Sequence, residues 1–318
     1  MLLSGENIIN GYRIKRLNYD RLKDMAQLYE AVYGKPLAAD YYARKYDTAY
    51  TKVMYTGFLA YNANDLPVAY YGVIPCFIRY DYEPVLAAQS ADTMTHPGHR
   101  NKGLFVLLAN LTYDLCRNKG IKLLFGFPNQ NSLPGLANKL GWQVVGHLDR
   151  FTIPVTTVPL ERMAANSSVL KGLYKAYIKQ VLKKLVLPQQ GIPNSVFNEE
   201  YNGVYRADDY LQYKTYNTTC TIKIGEATVW FKIQNGFIVG DINGFDNDFD
   251  KVIKTLTQLA KKLGLQKLQF QASPYTKLYA LLKKRSEPIP AFPVLIKDLG
   301  LGTDLTNIEF TFADIDIF

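Results

Sequence analysis

The run Thr95-His-Pro-Gly-His-Arg-Asn-Lys-Gly-Leu-Phe105 sets Arg100, Lys102 and Gly103 directly ahead of an apolar helical stretch, LFVLLANLTYDLC. The first amides of a helix have no intrahelical partner, and the aligned peptide dipoles leave partial positive charge at that end. An oligophosphate is a natural guest there. Gly103 lets the guest approach the backbone and permits dihedrals that a side chain forbids, while Arg100 and Lys102 supply charge. Asn101, Leu104 and Phe105 complete the stretch that would cradle it. Spacing excludes two other glycine motifs. Gly98 and Gly103 have the separation of a nucleoside-triphosphate loop, but Leu104 and Phe105 stand where Lys and Ser or Thr are needed, and no GxGxxG follows a strand.

Other chemistry-bearing residues are few. His96 and His99 flank the loop, where they can bind or solvate phosphate, and His147 reads as a paired core residue in a strand. None has a ligand partner at helical or hairpin spacing, so no metal is expected. Cys76, Cys116 and Cys220 are far apart and form no CxxC pair, which suggests neither a disulfide framework nor a zinc site. DNDFDKV (246–252) looks at first like a calcium loop. Lys251 replaces the required glycine, however, and Thr257 the closing glutamate, so it reads as an acidic helix cap.

The elements that must position the loop follow from periodicity. Leu22, Met25, Leu28, Tyr29 and Val32 mark a helix from Asn18 to Tyr33, and a short helix follows from Asp40 to Tyr46. VMYTGFLAYN, VAYYGVIPCFIRY and PVLAAQSADTMT form an antiparallel meander into the loop. After the long helix come a buried strand KLLFGF, a helix SLPGLANKLG and a strand WQVVGHLDRFTIPV. The last third repeats this order: strands CTIKI, ATVWFKI and FIVGDI, a helix, strand KLQFQA, helix YTKLYALLKKR and strand FPVLIKDL. A diverged duplication explains that order simply. Between the halves, Lys171, Lys175, Lys179 and Lys183 lie four apart on one helix face, with Leu170, Leu173, Tyr174, Tyr177, Val181 and Leu185 on the other. Such a helix either packs its apolar face on a domain or makes peripheral contact with an anionic membrane.

A length of 318 residues favours two domains, and a hydrophobic share of 48% lets each bury a core. A net charge of +9 favours anionic partners without choosing among them. No run approaches membrane-spanning length, and the opening MLLSGENIINGYRIKR has no apolar stretch suited to a signal peptide, so a cytoplasmic protein is expected.

MTHPGHRNKGLF resembles the pyrophosphate-binding motif R/Q-x-x-G-x-G/A of the GNAT N-acetyltransferases, on Arg100, Gly103 and Phe105. NQNSLPGLANKLGW, with Asn131 and the closing Gly141-Trp142, looks like that family's second motif, and Asn129 opens it. The resemblance covers roughly residues 12–155; the second half is similar in element order only. It implies an α+β fold of two tandem GNAT-like domains, each a mostly antiparallel central sheet flanked by helices. The expected boundaries are 1–156 for the acyl-CoA domain, 157–195 for a linker and 196–318 for a degenerate second domain. Acetyl-CoA is the implied acyl donor, with no metal. The implied acceptor is a primary amine of a small molecule, amino sugar or peptide.

In the family's mechanism the strands AQSADTMT and KLLFGF splay apart, and amides near Thr93, Met94 and Thr95 bind the pantetheine arm and polarise the thioester carbonyl. Gly126 would leave room beside the arm. Asp92, an acid in an otherwise uncharged strand, is the candidate base; it also reads as a hydrogen-bonded strand-end aspartate, and Asp314 and Asp316 are a second option. This sequence departs from the family at Phe105, where a small residue is usual, and at Ala137, where many members carry a tyrosine that protonates the leaving thiolate. Asp246, Asp248 and Asp250 occupy the cradle position of the second half, so one cofactor site per chain is expected. Two other readings stay open. One is a Fem-like aminoacyl transferase using aminoacyl-tRNA, the only reading that brings in nucleic acid; the other is a catalytically silent CoA-binding module.

Overall fold

The computed structural model describes residues 7–246, 248–302, 305 and 307–318. Two compact units divide the chain: 1–145 with 294–306, and 146–293 with 307–318.

In the first unit, β1 (Asn7–Ile9) and β2 (Tyr12–Arg16) lead into α1 (Leu22–Tyr33) and α2 (Ala39–Lys45). The meander follows as β3 (Thr56–Tyr61), β4 (Pro67–Tyr80) and β5 (Glu83–Thr95), then α3 (Leu104–Asn118) and β6 (Leu123–Gly126). The first five strands pair antiparallel in sequence order, and β6 runs parallel to β5. At the tip of the β4–β5 hairpin Asp81 and Tyr82 both take positive φ, 48° and 67°, the two-residue turn whose twist suits the flanking strands. Successive side chains alternate between faces. Tyr71, Val73 and Ala88 pack with Leu104, Leu108 and Tyr113 of α3. On the other face, Tyr46 sets its ring 6.1 Å from Tyr70. The expected first helix starts late: Asn18 accepts from the Arg21 amide and caps a 3-10 turn over Tyr19–Arg21, and the α-helix begins after it.

The second unit takes most of β7 (Gln143–Pro154), then α4 (Leu160–Ala164), α5 (Ser168–Leu182), β8 (Gly203–Val204) and α6 (Asp208–Tyr213). β9 (Cys220–Ile224), β10 (Ala227–Ile233), β11 (Phe237–Asn243), α7 (Phe249–Leu263), β12 (Lys267–Ala272), α8 (Lys277–Lys283) and β13 (Ile289–Asp298) follow in the expected repeated order. β9, β10 and β11 are antiparallel neighbours, β12 lies parallel to β11, and β7 lies antiparallel to β12. Both units are thus α+β, with mostly antiparallel sheets flanked by helices.

The units do not follow contiguous halves. Residues 146–155 belong to the second unit because β7 pairs with β12 and Phe151 and Val155 sit in that unit's core. In return, Leu295–Asp298 of β13 pair antiparallel with β6 of the first. The segment expected as a linker is not a free spacer either. Leu182 is buried in the second core, Ile192 is buried, and the Gly191 amide donates to Thr221 Oγ1 at 2.8 Å. NIEFTFADIDIF makes single bridges at Ile308 and Thr311 and a 3-10 turn over Phe312–Asp314, within the second unit.

Candidate functional site

β5 and β6 pair only from Ala87–Leu123 to Gln89–Phe125; β6 ends at Gly126, so among the described residues β5 runs on to Thr95 with no paired residue of β6 opposite it. A β-bulge lies on the same stretch of β5. Tyr70 faces Met94 while Gly72 faces Ala91, so Asp92 and Thr93 together oppose Tyr71, and Asp92 takes φ +53°. The His96 amide donates to Val68 O at 2.8 Å, and the antiparallel alternation then turns the Met94 amide toward Tyr70. The same alternation points the amides of Thr93 and Thr95 at the edge facing the gap. A methyl at Gly126 would stand 3.5 Å from Ser90 Cβ and 3.6 Å from Trp142, ordinary contact, so packing does not demand glycine there.

The loop after β5 leads to an open helix mouth. Gly103 is the N-cap of α3 at φ +76°, no side chain caps the helix, and a methyl on Gly103 would meet nothing within 4 Å. Asn101 also has positive φ, and Arg100, Asn101, Lys102 and Gly103 are exposed. Arg100 Nε donates to Thr95 O at 3.4 Å. Leu104 turns into the core. Phe105 does not cover the mouth: its ring meets Tyr71 edge-on at 5.7 Å and lies against Gly135, where a methyl would stand 2.9 Å from it. His99 Nδ1 lies 3.0 Å from the Tyr12 hydroxyl, and His96 Nδ1 accepts from the Gly98 amide. His147, expected in the core, is half exposed beside Asp149. Across the gap Asn129 Oδ1 accepts from the Asn131 and Ser132 amides and shapes the turn after β6; Asn131 is exposed there. Ala137 packs against the core.

Asp92 is held from α2. Lys45 Nζ lies 2.7 Å from its Oδ2, and the Tyr46 hydroxyl donates to the same oxygen at 3.0 Å. Lys45 is buried, whereas the Asp92 side chain is 17% exposed. Burial raises the Tyr46, Tyr42 and Tyr70 phenols far above their usual range, and the Asp92 carboxylate adds to this in each. At the end of α1 Tyr33 is raised first by burial and then by Asp92, while Arg100 opposes the shift. Beside the gap, Ser90 Oγ donates to the Tyr71 hydroxyl at 3.3 Å, which meets the Tyr113 hydroxyl at 3.0 Å. Trp142 Nε1 donates to Tyr113 at 2.7 Å, and burial pushes that phenol up to about 12. Lys45, Tyr46 and this hydroxyl chain carry no motif of their own in the sequence. Tyr42, Lys45 and Tyr46 at i, i+3 and i+4 share one helix face, which was the available signal.

Residues 13–145 match the family described as acetyltransferase (GNAT) domain. This stretch of the chain is a GNAT acetyltransferase domain, and it covers the unpaired end of β5, the bulge and the helix mouth. The protein is an acyltransferase. Solved structures share its fold. A conserved protein from Enterococcus faecalis V583 superposes with a TM-score of 0.60 at 14% identity, covering 91% of this chain and 73% of that one. A GCN5-related N-acetyltransferase from Kribbella flavida gives 0.56 at 13%, covering 91% and 72%. A GCN5-related N-acetyltransferase from Anabaena variabilis gives 0.57 at 13%, covering 91% and 73%. No curated protein matches the chain.

In the second unit the matching stretch between its own strands is filled from within that unit. β11 and β12 pair at Phe237–Leu268 and Ile238–Gln269, and residues 307–318 lie against both strands beyond. Thr311 bridges Ala272, and the Phe318 ring covers Gly240, where a methyl would stand 2.2 Å from it. Buried Arg206 ties this segment down through Asp314 at 2.7 Å, Asp241 at 2.6 Å and Thr311 Oγ1. Asp314 is thereby bound within the second unit's core and is no base for the GNAT domain. At the head of α7 Asp248 caps no amide with its side chain, contrary to expectation; it faces Lys251, while Asp246 pairs with Lys277 and Asp250 with Arg285.

Proposed function

We propose that this protein transfers an acyl group, acetyl in the simplest case, from coenzyme A to a primary amine of a small molecule, amino sugar or peptide, with one donor site per chain. The observation that carries the reading is the uncovered mouth of α3, where Gly103 has open space at its α-carbon and Arg100 and Lys102 are exposed beside it. Backbone amides there, with these two side chains, would hold the pyrophosphate. The Thr93 and Thr95 amides would accept the developing oxyanion. The thioester supplies an activated acyl group whose thiolate departs with a pKa of roughly 8.5.

Asp92 receives the proton of the attacking ammonium, directly or by way of water, and Lys45 and Tyr46 hold its carboxylate in place. Ala137 offers no acid, so the thiolate leaves unprotonated and takes its proton from solvent, tolerable for so weak a base. The packed segment over Gly240 supports a second unit without a donor site of its own.

Acetyl-CoA at a hundredfold over its Kd should stabilise the chain by about 2.7 kcal/mol in a melting assay. Arg100→Ala should weaken this shift and Gly103→Val should abolish it. A wild-type melting curve that ignores coenzyme A, together with silent calorimetry, sinks the proposal. The Ala137 departure favours a second reading, a module that binds coenzyme A without turnover. Thiol release in the presence of an amine panel separates the two.

A further inference from the structure

α5 presents three different rows around its axis. Tyr174, Ile178, Val181 and Leu182 face the second unit, where Leu182 is buried, Ile178 and Val181 pack on its core, and the Tyr174 hydroxyl donates to Leu263 O at 2.8 Å. The next row is apolar and open to solvent: Val169 is 69% exposed, Leu173 63% and Leu170 46%, and Met163 of neighbouring α4 is 55% exposed. The third row is Lys171, Lys175, Lys179 and Lys183, all exposed. The fold uses the first row together with Tyr177, whose hydroxyl donates to Lys262 O at 2.7 Å. At about 100° per residue the other two rows flank it, the lysines on one side and Val169, Leu170 and Leu173 on the other, and both are open to solvent. From Arg162 to Asn198 the chain carries no Asp or Glu, so nothing on this stretch balances the lysines.

We infer that α5, with Met163, docks the protein on an anionic lipid surface. The lysine row meets charged headgroups, while Val169, Leu170 and Leu173 enter the boundary between headgroups and acyl chains. Charge complementarity alone would also suit a nucleic acid, but phosphates gain nothing from a row of exposed Val, Leu and Met side chains. Lipid uses both rows at once. The helix is short and half packed on its own unit, so the attachment is peripheral and reversible, and no helix of the described residues is long and apolar enough to cross a membrane.

The test is co-sedimentation of the full chain with vesicles of phosphatidylcholine, and with vesicles also containing phosphatidylglycerol, at low and high salt. Binding to the anionic vesicles, absent from the neutral ones and weakened by salt, is expected. Each of Lys171→Gln, Lys175→Gln and Lys179→Gln should lower partitioning about fivefold. Leu170→Asp/Leu173→Asp should abolish partitioning with the melting temperature unchanged, because neither side chain is packed in the core. Failure of the wild type to sediment with anionic vesicles overturns the inference, as does equal sedimentation of the Leu170→Asp/Leu173→Asp variant. Sedimentation equilibrium that finds a dimer split by the same variant, or tight salt-sensitive binding of tRNA in place of vesicles, also overturns it.

Discussion

Replacing Asp92 by Asn separates what this residue does for the fold from what it does in the reaction. The substitution keeps the shape and removes the carboxylate that faces the buried Lys45 ammonium at 2.7 Å. Removing one partner of a buried pair costs about 3 to 5 kcal/mol, and the lower end applies because Asp92 is partly open to water. A loss of about 3 kcal/mol in a unit of this size lowers its melting temperature by roughly 9 °C. Lys45→Met alone should cost about 1 kcal/mol, since the remaining carboxylate can be hydrated, and Lys45→Met/Asp92→Asn should return to within about 1 kcal/mol of wild type. The readout is denaturation followed by intrinsic fluorescence, because Trp142 and Trp230 fall one in each unit. Additive losses in the double variant refute the buried pair. Amine acylation is measured on the same proteins. If Asp92 takes the proton, the double variant regains stability yet stays about a hundredfold or more slower. Turnover restored along with stability refutes the catalytic assignment and leaves Asp92 a structural residue.

Three further outcomes are expected. Burial pushes the Glu309 carboxyl from 4.5 up to about 7, so the folded chain holds a proton there that the unfolded chain has lost. The stability this group contributes is full below pH 4.5 and lost as pH rises through about 7; Glu309→Gln should therefore raise the melting temperature above pH 7 and change nothing below 4.5, and a flat difference across this range contradicts it. Phe318→Ala, which empties a fully buried position over Gly240, should cost about 3 to 5 kcal/mol in urea denaturation, and Gly240→Ala should be markedly less harmful in that background than in wild type. Tyr113→Phe strips the acceptor from the Trp142 indole and a partner from Tyr71, so a loss of about 1 to 3 kcal/mol is expected, and an unchanged denaturation midpoint argues against the chain of hydroxyls.

Local signals in the sequence determined a good deal. Element order was legible through periodicity: Leu104, Leu108 and Leu115 mark one face of α3, and the alternation in β4 puts Tyr71 and Val73 on the side that meets it. The helix mouth was legible because it is a contiguous stretch, from Arg100 to Gly103, whose chemistry depends on amides next to each other in the chain. Phe105 shows where local reading ends. Its departure from the family pattern was visible, but whether that ring covers the mouth depended on Gly135, thirty residues on, leaving room for it inside.

Tertiary structure alone decided the rest. A strand's partner is chosen by unpaired backbone edges and by which core can bury its apolar side, and neither is written next to it in sequence. So β7 joined β12, and Leu295–Asp298 joined β6. Asp92 was visible as an acid in an apolar strand, yet its pairing with Lys45 spans forty-seven positions of chain and exists only because α2 packs over the bulge. The place of segment 307–318 was likewise settled far away in sequence: Arg206 and Gly240 fix it as a plug in the second unit, since a buried guanidinium needs Asp314 and a bare α-carbon admits Phe318.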